Sequence, residues 1–414
     1  MLRRSVFSLL VLAVVAGEAS AQPVGSEFRV NTYTTGYQYV SAVAADGNGN
    51  FVVVWHDDGQ DGYFSGIFGQ RFDQTGQPLG GEFGVNLSTY GYQFSPRVAA
   101  RSSGFVVVWT GLDSDAYGIF ARLYDASGVA QTGEIPVNSV ETDFQLNSDV
   151  ALGPGGTFVV TWDSYGPDGD GFGVFGQRFD ASGSRLGAEF QVNTYTAYYQ
   201  VRPAVAVAPT GAFVVTWVSD FQDGSGYGVF ARRFDAAANA LGSEFRVNTN
   251  TSSEQDGPDV AVDAAGNFVV VWDSRFQDGS DYGLFGQRFD ANGSVLGAEF
   301  AINTYTTNRQ WIASLAGEAD GDFVVTWTST NQLGASSGDE VFAQMFDAAG
   351  SRRGTEFRVN VYTTNLQRRP AVAPLGNEKF VVTWTSGLQD GDGEGIFGRV
   401  WSDLIFANGF NAGP

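Results

Sequence analysis

One phrase returns seven times along this chain and constrains its fold more than any other feature. Each copy reads F-V-V-V-W or F-V-V-T-W and ends in a tryptophan; the seven are Trp55, Trp109, Trp162, Trp217, Trp272, Trp327 and Trp384. Successive tryptophans lie 53 to 57 positions apart. A fixed period of this length is typical of an array of one supersecondary unit.

Each unit contains four short segments with strand character. In the fourth unit they are Pro203–Ala206, Phe213–Trp217, Gly228–Asp235 and Gly242–Asn248. Turns rich in Gly and Asp separate them, and no stretch has helical periodicity, so the segments form antiparallel hairpins. Seven such units predict an all-β fold, a seven-bladed β-propeller of four-stranded antiparallel blades.

The chain ends predict how the ring closes. The sequence begins with an orphan fourth strand, Glu27–Asn31, and its last unit supplies only the first three strands, at about 369–402. We expect the N-terminal strand to complete the last blade, because a closed ring leaves no exposed sheet edges. An open solenoid is the alternative.

The first residues have the features of an export signal. Arg3 and Arg4 precede an apolar run that ends before Ala19-Ser20-Ala21, an A-x-A cleavage pattern. We therefore divide the chain into a signal peptide at 1–21, a propeller at 22–403 and a short tail at 404–414. A secreted, periplasmic or cell-surface location follows, with an N-terminal anchor helix as the alternative. The absence of cysteine means that no disulfide stabilises the exported fold.

The charge balance narrows the partners. The chain has 23 Lys and Arg against 45 Asp and Glu, a net charge of −22. This excess of acid disfavours nucleic acid and anionic lipid and favours cations, neutral glycans or basic protein surfaces. No apolar run beyond the signal approaches the length of a membrane span, so we expect no membrane insertion. Oligomeric state is not indicated.

A polar phrase between units carries the candidate ligand-binding residues. Each unit has Asn followed seven positions later by Gln, and four units have Tyr two positions after the Asn. These residues lie on the face with the longer loops, where amphipathic side chains contact glycans or proteins. The candidates are Tyr33, Tyr195, Tyr305, Tyr362, Gln38, Gln200, Gln310 and Gln367. The alternatives are an internal hydrogen bond for the amides and loop packing for the tyrosines.

The turns after the tryptophans are candidate calcium sites. They read P-D-G-D-G, F-Q-D-G-S-D or L-Q-D-G-D-G, and Ca²⁺ prefers several oxygen ligands from a flexible loop. The candidate ligands are Asp168, Asp170, Asp278, Asp281, Asp390 and Asp392. Ordinary Asp-Gly turn chemistry is the alternative, because the EF-hand pattern is absent.

No catalytic residue stands out. The chain has a single histidine, His56, and no cysteine, which disfavours a nucleophile with a histidine base and a zinc site. A pair of carboxylates would suffice for a glycosidase, but the sequence selects no pair.

The phrases F-V-V-x-W, Q-D-G, G-I-F-G-Q-R-F-D and E-F-x-V-N resemble the repeats of uncharacterised bacterial secreted and surface β-propeller proteins. That resemblance implies a binding or adhesion module rather than a defined activity. We expect a non-catalytic module that recognises glycan or protein through its long-loop face, with calcium as a possible cofactor. A glycan-cleaving hydrolase or lyase with paired rim carboxylates and a structural envelope protein are the alternatives.

Overall fold

The computed structural model describes residues 21–334 and 337–403. The predicted signal peptide, apart from Ala21, and the predicted tail at 404–414 lie outside the described residues. The described chain forms seven four-stranded antiparallel sheets arranged as a closed ring, so the predicted seven-bladed β-propeller is confirmed. No helix among the described residues is long and apolar enough to cross a membrane.

The strands follow one another blade by blade. The chain begins with β1 (Ala21–Arg29), and the first three blades are β2 (Gln38–Ala45), β3 (Phe51–Asp57), β4 (Gly66–Phe72), β5 (Phe83–Gly84); β6 (Gln93–Arg101), β7 (Gly104–Leu112), β8 (Tyr117–Asp125), β9 (Ile135–Pro136); and β10 (Gln145–Leu152), β11 (Phe158–Tyr165), β12 (Phe172–Phe179), β13 (Phe190–Gln191). A 3₁₀ turn (Pro154–Gly156) separates β10 from β11.

The remaining blades repeat this order. They are β14 (Gln200–Val207), β15 (Phe213–Asp220), β16 (Tyr227–Phe234), β17 (Phe245–Arg246); β18 (Gln255–Val262), β19 (Phe268–Arg275), β20 (Tyr282–Phe289), β21 (Val295–Ala301); β22 (Gln310–Gly317), β23 (Phe323–Thr330), β24 (Asp339–Phe346), β25 (Arg352–Arg358); and β26 (Gln367–Gly376), β27 (Lys379–Gly387), β28 (Glu394–Asp403). The first strand of each blade contacts the first strands of both neighbouring blades, so these seven strands surround the axis.

The N-terminal strand closes the ring. In the seventh blade the sheet order is β1-β28-β27-β26, with Phe28 opposite Gly398 and Arg29 opposite Phe397. The predicted closure is therefore confirmed. It ties the two ends of the described chain into one sheet.

Apolar clusters between neighbouring blades hold the ring together. Trp327 of the sixth blade, for example, is fully buried in one cluster with Val271 and Leu284 of the fifth. All seven repeat tryptophans are buried in the same way. Because F-V-V-x-W has apolar side chains in succession, each second strand can pack on both of its faces.

Every innermost strand contains a β-bulge at the same point. Each pairing between a first and a second strand has a register shift two to three residues after the Gln, and the seventh blade has a further shift between Pro374 and Gly376. The residue two positions after each Gln has a left-handed φ of 50° to 56°; these residues are Val40, Ser95, Asn147, Arg202, Gly257, Ile312 and Arg369. Bulges of this kind redirect side chains and are common next to active sites.

Candidate functional site at the mouth of the central channel

The recurrent Asn and Gln form an internal hydrogen-bond network. In the first blade, Asn31 Nδ2 donates to Gln38 Oε1 (3.1 Å), and Gln38 Nε2 donates to the carbonyl of Thr35 (3.0 Å). Asn31 Oδ1 accepts from the backbone N–H of Ile396 (2.7 Å). The predicted ligand residues Gln38, Gln200, Gln310 and Gln367 are all fully buried, each as the first residue of an innermost strand. Their amides are not exposed to a ligand in this structure.

The four predicted tyrosines lie half-buried towards the outer strands. Tyr33, Tyr195, Tyr305 and Tyr362 each use their backbone carbonyl to accept from the preceding Asn side chain. The neighbouring Thr32 donates its N–H to Glu82 (2.7 Å), just before the outer strand β5, which places this loop away from the axis. A ligand-binding role for these four tyrosines stays a prediction.

The six Asp predicted to bind calcium already have protein partners, four of them in the turns of the third and seventh blades. Asp168 and Asp390 accept from the side chains of Asn193 (3.4 Å) and Asn31 (3.2 Å). Asp170 and Asp392 accept backbone N–H groups of the next loop, at 3.1 Å in both cases.

The fifth blade differs in its partners. Asp278 accepts from the N–H of Ser280 (3.0 Å), whereas Asp281 pairs with Arg275 (3.5 Å) and Arg309 (3.2 Å). A Cβ at Gly283 would lie 2.4 Å from Asp278 Oδ2, which explains why glycine occupies the second position of β20. Among the described residues, no three His, Cys, Asp or Glu side chains are grouped to hold a metal. Calcium binding stays a prediction.

The central channel forms a concave site at the axis of the ring. It is a cavity of about 660 Å³ lined by the seven innermost strands, within the size range of ligand sites. All seven bulge residues line it, as do the residues two positions further along each strand: Ala42, Arg97, Asp149, Ala204, Asp259, Ser314 and Ala371. The bulges therefore point the variable positions of the repeat into the channel.

Four arginines line this channel. Arg202 pairs with Asp256, and Arg309 pairs with Asp281, whereas Arg97 and Arg369 form no ion pair with any residue that the structure describes. The Arg369 guanidinium lies 5.9 Å from the ring centre of Tyr39.

Arg97 Nη1 donates to the carbonyl of Pro96 (3.1 Å), and the Arg97 charge acts on Asp149 and Asp259. The remaining N–H groups of Arg97 and Arg369 face the channel without an ion-pair partner among the described residues. They are available to an anionic ligand.

A carboxylate pair lies beside the paired arginine. Asp256 and Asp273 are directly opposite each other on β18 and β19, a position in which Cβ atoms are about 5 Å apart. Burial, together with the charge of Asp256, raises the pKa of Asp273 to about 8. Asp273 Oδ2 accepts from the N–H of Ile312 (3.0 Å), and its other oxygen is buried without a partner. At pH 7 one carboxyl is protonated, while the other is ion-paired.

Aromatic and cationic side chains surround this pair. Tyr282 donates its hydroxyl to Glu254 (2.5 Å), and burial with this acceptor raises the pKa of Tyr282. Arg309 lies over the rings of Tyr282 (5.4 Å) and Trp311 (4.7 Å). The mouth therefore combines flat apolar rings, guanidinium groups and a protonated carboxyl within two neighbouring blades.

The single histidine lies on the opposite side of the mouth. His56 is buried against Tyr39, with ring centres 4.3 Å apart. Burial, with a further contribution from Arg369, lowers the pKa of His56 to about 4, so its 3.3 Å contact with Asp58 is not an ion pair at neutral pH. Burial, with a smaller contribution from the charge of Asp58, raises the pKa of Tyr39 to about 12.

Comparison of the chain with known proteins agrees with the fold. No family model matches, and no curated protein matches. Among solved structures, a protein of unknown function from Dyadobacter fermentans DSM 18053 has a TM-score of 0.56 at 11% identity, covering 92% of this chain and 99% of that one. A PL25 ulvan lyase, described as a new family of polysaccharide lyase, has a TM-score of 0.60 at 9% identity, covering 91% of this chain and 96% of that one. At these identities the chain is similar to both in fold.

Proposed function

We propose that this protein binds a glycan that carries carboxylate or sulfate groups, and that the binding site is the mouth of the central channel. The observation that carries the proposal is that two arginines in the channel wall, Arg97 and Arg369, have no ion-pair partner in the part of the chain that the structure describes. Guanidinium groups bind such anions through charge-assisted, often bidentate hydrogen bonds. The rings of Trp311 and Tyr282 supply apolar faces for the sugar.

The local charge of the channel differs from that of the whole protein. Four Arg face four Asp there, and Asp273, with a pKa of about 8, is neutral at pH 7. The lining is therefore slightly cationic, although the chain as a whole is strongly acidic. At physiological salt, repulsion from distant surface charges is screened beyond about 8 Å, so the local groups dominate. The channel therefore favours acidic glycans, whereas the net charge of the chain alone favours neutral ones.

The fold likeness to a polysaccharide lyase supports a glycan ligand. The test is affinity electrophoresis through gels that contain polygalacturonate, alginate or ulvan, with neutral arabinan and xylan as controls. We expect retention by at least one acidic polymer and about tenfold weaker binding for Arg369→Ala, the loss of one charge-assisted contact. Arg358→Ala, outside the channel, is the matched control. Retention by neutral polymers alone would contradict the proposal.

Cleavage of the glycan is a second candidate, favoured by Asp256 and Asp273. Burial raises the pKa of Asp273, which can donate a proton, and the neighbouring Asp256, paired with Arg202, can accept one. In this scheme Asp256 removes the C5 proton of a uronate residue, and a C4=C5 double bond forms as the C4–O4 bond breaks. Asp273 protonates the departing oxygen O4, and exchange with water then restores both carboxyls. New reducing ends should appear in acidic polymers, and Asp273→Asn should slow their release about a hundredfold or more. Unchanged binding by this variant would separate catalysis from recognition, and absence of any turnover would leave a binding module.

Export to the periplasm or cell surface is part of this proposal, since polymeric glycans are met there. The A-x-A segment before Gln22 supports it. N-terminal sequencing of the protein recovered from outside the cytoplasm should begin at Gln22. An N-terminus at Met1 would contradict cleavage.

A further inference from the structure

Four aromatic rings form an exposed cluster on the long-loop face between the first and second blades. Tyr63, Phe64, Tyr90 and Tyr92 are 55%, 53%, 67% and 48% exposed. Their ring centres form a connected series: Tyr63 to Phe64 at 6.1 Å, Tyr63 to Tyr90 at 6.2 Å, and Phe64 to Tyr92 at 4.8 Å. We call these four residues the aromatic patch.

The fold does not require the aromatic patch. At the position of Tyr63 the fourth and fifth blades have Ser225 and Ser280, and at the position of Tyr90 the neighbouring loop has Thr35. The fourth blade instead has a different exposed contact, Tyr198 with Phe221 (5.4 Å between ring centres), so the aromatic rings on this face change position from blade to blade. An exposed cluster that the repeat can dispense with marks an interaction site.

We propose that the aromatic patch is a second glycan-binding site, which holds the same acidic polymer where it leaves the channel mouth. This inference rests on the proposed function. Tyr92 lies three residues before Ser95, which lines the channel, a distance of about 10 Å along an extended strand. A polymer in the channel therefore reaches the patch directly.

The chemistry of the patch fits a sugar. The faces of the rings carry negative charge density and attract the C–H groups of a pyranose face, while three tyrosine hydroxyls can bond to sugar hydroxyls. Half of about 200 Å² for each of four side chains gives about 400 Å² of exposed surface. A stable protein interface needs about 800 Å² per partner, so the patch is too small to hold a second copy of this chain by itself.

The test compares long and short ligands. The patch variant combines Tyr63→Ser, Phe64→Ser and Tyr90→Thr, two of which introduce residues that other blades carry. Phe221→Ser, an equally exposed aromatic position in the fourth blade, is the matched control. Affinity is measured for polygalacturonate, alginate and ulvan and for trisaccharides prepared from them. We expect the patch variant to lose about tenfold for the polymer that wild type binds and to keep its trisaccharide affinity, while the control changes neither.

The outcomes separate the two proposals. Polymer affinity equal to wild type in the patch variant overturns the second site, whatever Arg369→Ala does. Loss in the patch variant with no loss in Arg369→Ala overturns the channel site and supports the patch. Equal losses for polymer and trisaccharide also overturn the second site, because the variant has then damaged the channel. Failure of wild type to bind any of the three polymers overturns both.

Discussion

The loops between blades repeat the same hydrogen bonds in every blade, whereas the bulges of the innermost strands, which adjoin these loops, carry different side chains. Each inter-blade Asn accepts from an N–H of a third strand in all seven blades, at 2.6 to 2.8 Å. Two positions beyond each Gln, by contrast, the seven bulge residues share a backbone conformation and little else. The hydrogen-bonded loops and the buried tryptophans, which we call the frame, are therefore constant from blade to blade. The side chains at and after the bulges, which we call the channel residues, vary.

The bulge conformation has an energetic consequence. A left-handed φ is unfavourable for β-branched residues such as Val40 and Ile312, and costs on the order of 1 kcal/mol or more. The surrounding pairings hold it in every blade. A left-handed conformation that is repeated seven times around a channel, six times at a residue other than glycine, indicates that the direction of these side chains matters.

The largest effect should come from two tryptophans of one blade. Trp327 is fully buried between blades, whereas Trp311 lines the channel. Trp327→Ala should lower the free energy of unfolding by about 3–5 kcal/mol, because it leaves a large cavity. Trp311→Ala should cost much less stability but weaken glycan binding. Urea unfolding measures the stability of both variants, and affinity electrophoresis measures their glycan binding. Equal destabilisation by the two substitutions would contradict the distinction between frame and channel residues.

A smaller loss should follow from one amide of the frame. Asn303→Ala removes the acceptor of the buried Leu284 N–H (2.7 Å) and a donor to Tyr305 O (2.8 Å). An unsatisfied buried donor costs about 1–3 kcal/mol, so we expect a loss of about 2 kcal/mol in urea unfolding. Asn292→Ala, in an exposed hairpin turn, is the control. A loss no larger than that of the control would show that water replaces the Asn side chain.

The frame was predictable because its chemistry repeats. Period, strand content and the orphan N-terminal strand together predict seven blades and their closure, and the structure confirms both. The sequence places each Gln on the long-loop face, as a ligand residue or in an internal hydrogen bond; in the structure the Gln begins the innermost strand and is buried, and in the first blade it bonds to the Asn. The alternation of apolar residues does not reveal where the innermost strand begins, because its first residue, the Gln, is polar and yet buried.

The channel site was not predicted. Only one of the seven bulge residues is glycine, Gly257, whereas Val, Ile, Ser, Asn and Arg adopt the left-handed conformation in the other six blades. A Pro follows the bulge residue in four blades, but Pro alone does not identify a bulge. Side-chain direction after a bulge cannot be read from a period of two. The available signal was the reverse of repetition: Arg202, Asp256, Trp311 and Arg369 stand where near-identical units differ.

The free energy of unfolding should depend on pH through two buried carboxyls, Asp163 and Asp273. Burial raises the pKa values of Asp163 to about 7 and of Asp273 to about 8, from about 3.8. Between the unfolded and the folded pKa values, the native state binds more protons than the unfolded state. The free energy of unfolding therefore falls as pH rises from about 4 to 8. Each group contributes a slope of up to about 1.4 kcal/mol per pH unit.

Asp273→Asn should flatten this dependence, because the neutral amide cannot ionise, and urea unfolding at pH 5 and pH 8 measures the change. Asp320→Asn removes the same charge from the surface and serves as the control for overall repulsion. A slope unchanged in Asp273→Asn but reduced in the control would assign the pH dependence to net charge rather than to burial.

The smallest effect should come from calcium. Adding or removing Ca²⁺ tests whether the Asp-Gly turns are only structural or also bind a ligand. A bound ion would raise stability by about 2.7 kcal/mol at a hundredfold excess over its Kd. The six candidate carboxylates already accept hydrogen bonds or pair with arginine; Asp281, for example, contacts Arg275 and Arg309. We expect the same Tm in Ca²⁺ and in EDTA. A clear upward shift that Asp168→Asn abolishes would instead make these turns metal sites, which would add a cation to the face that binds the glycan.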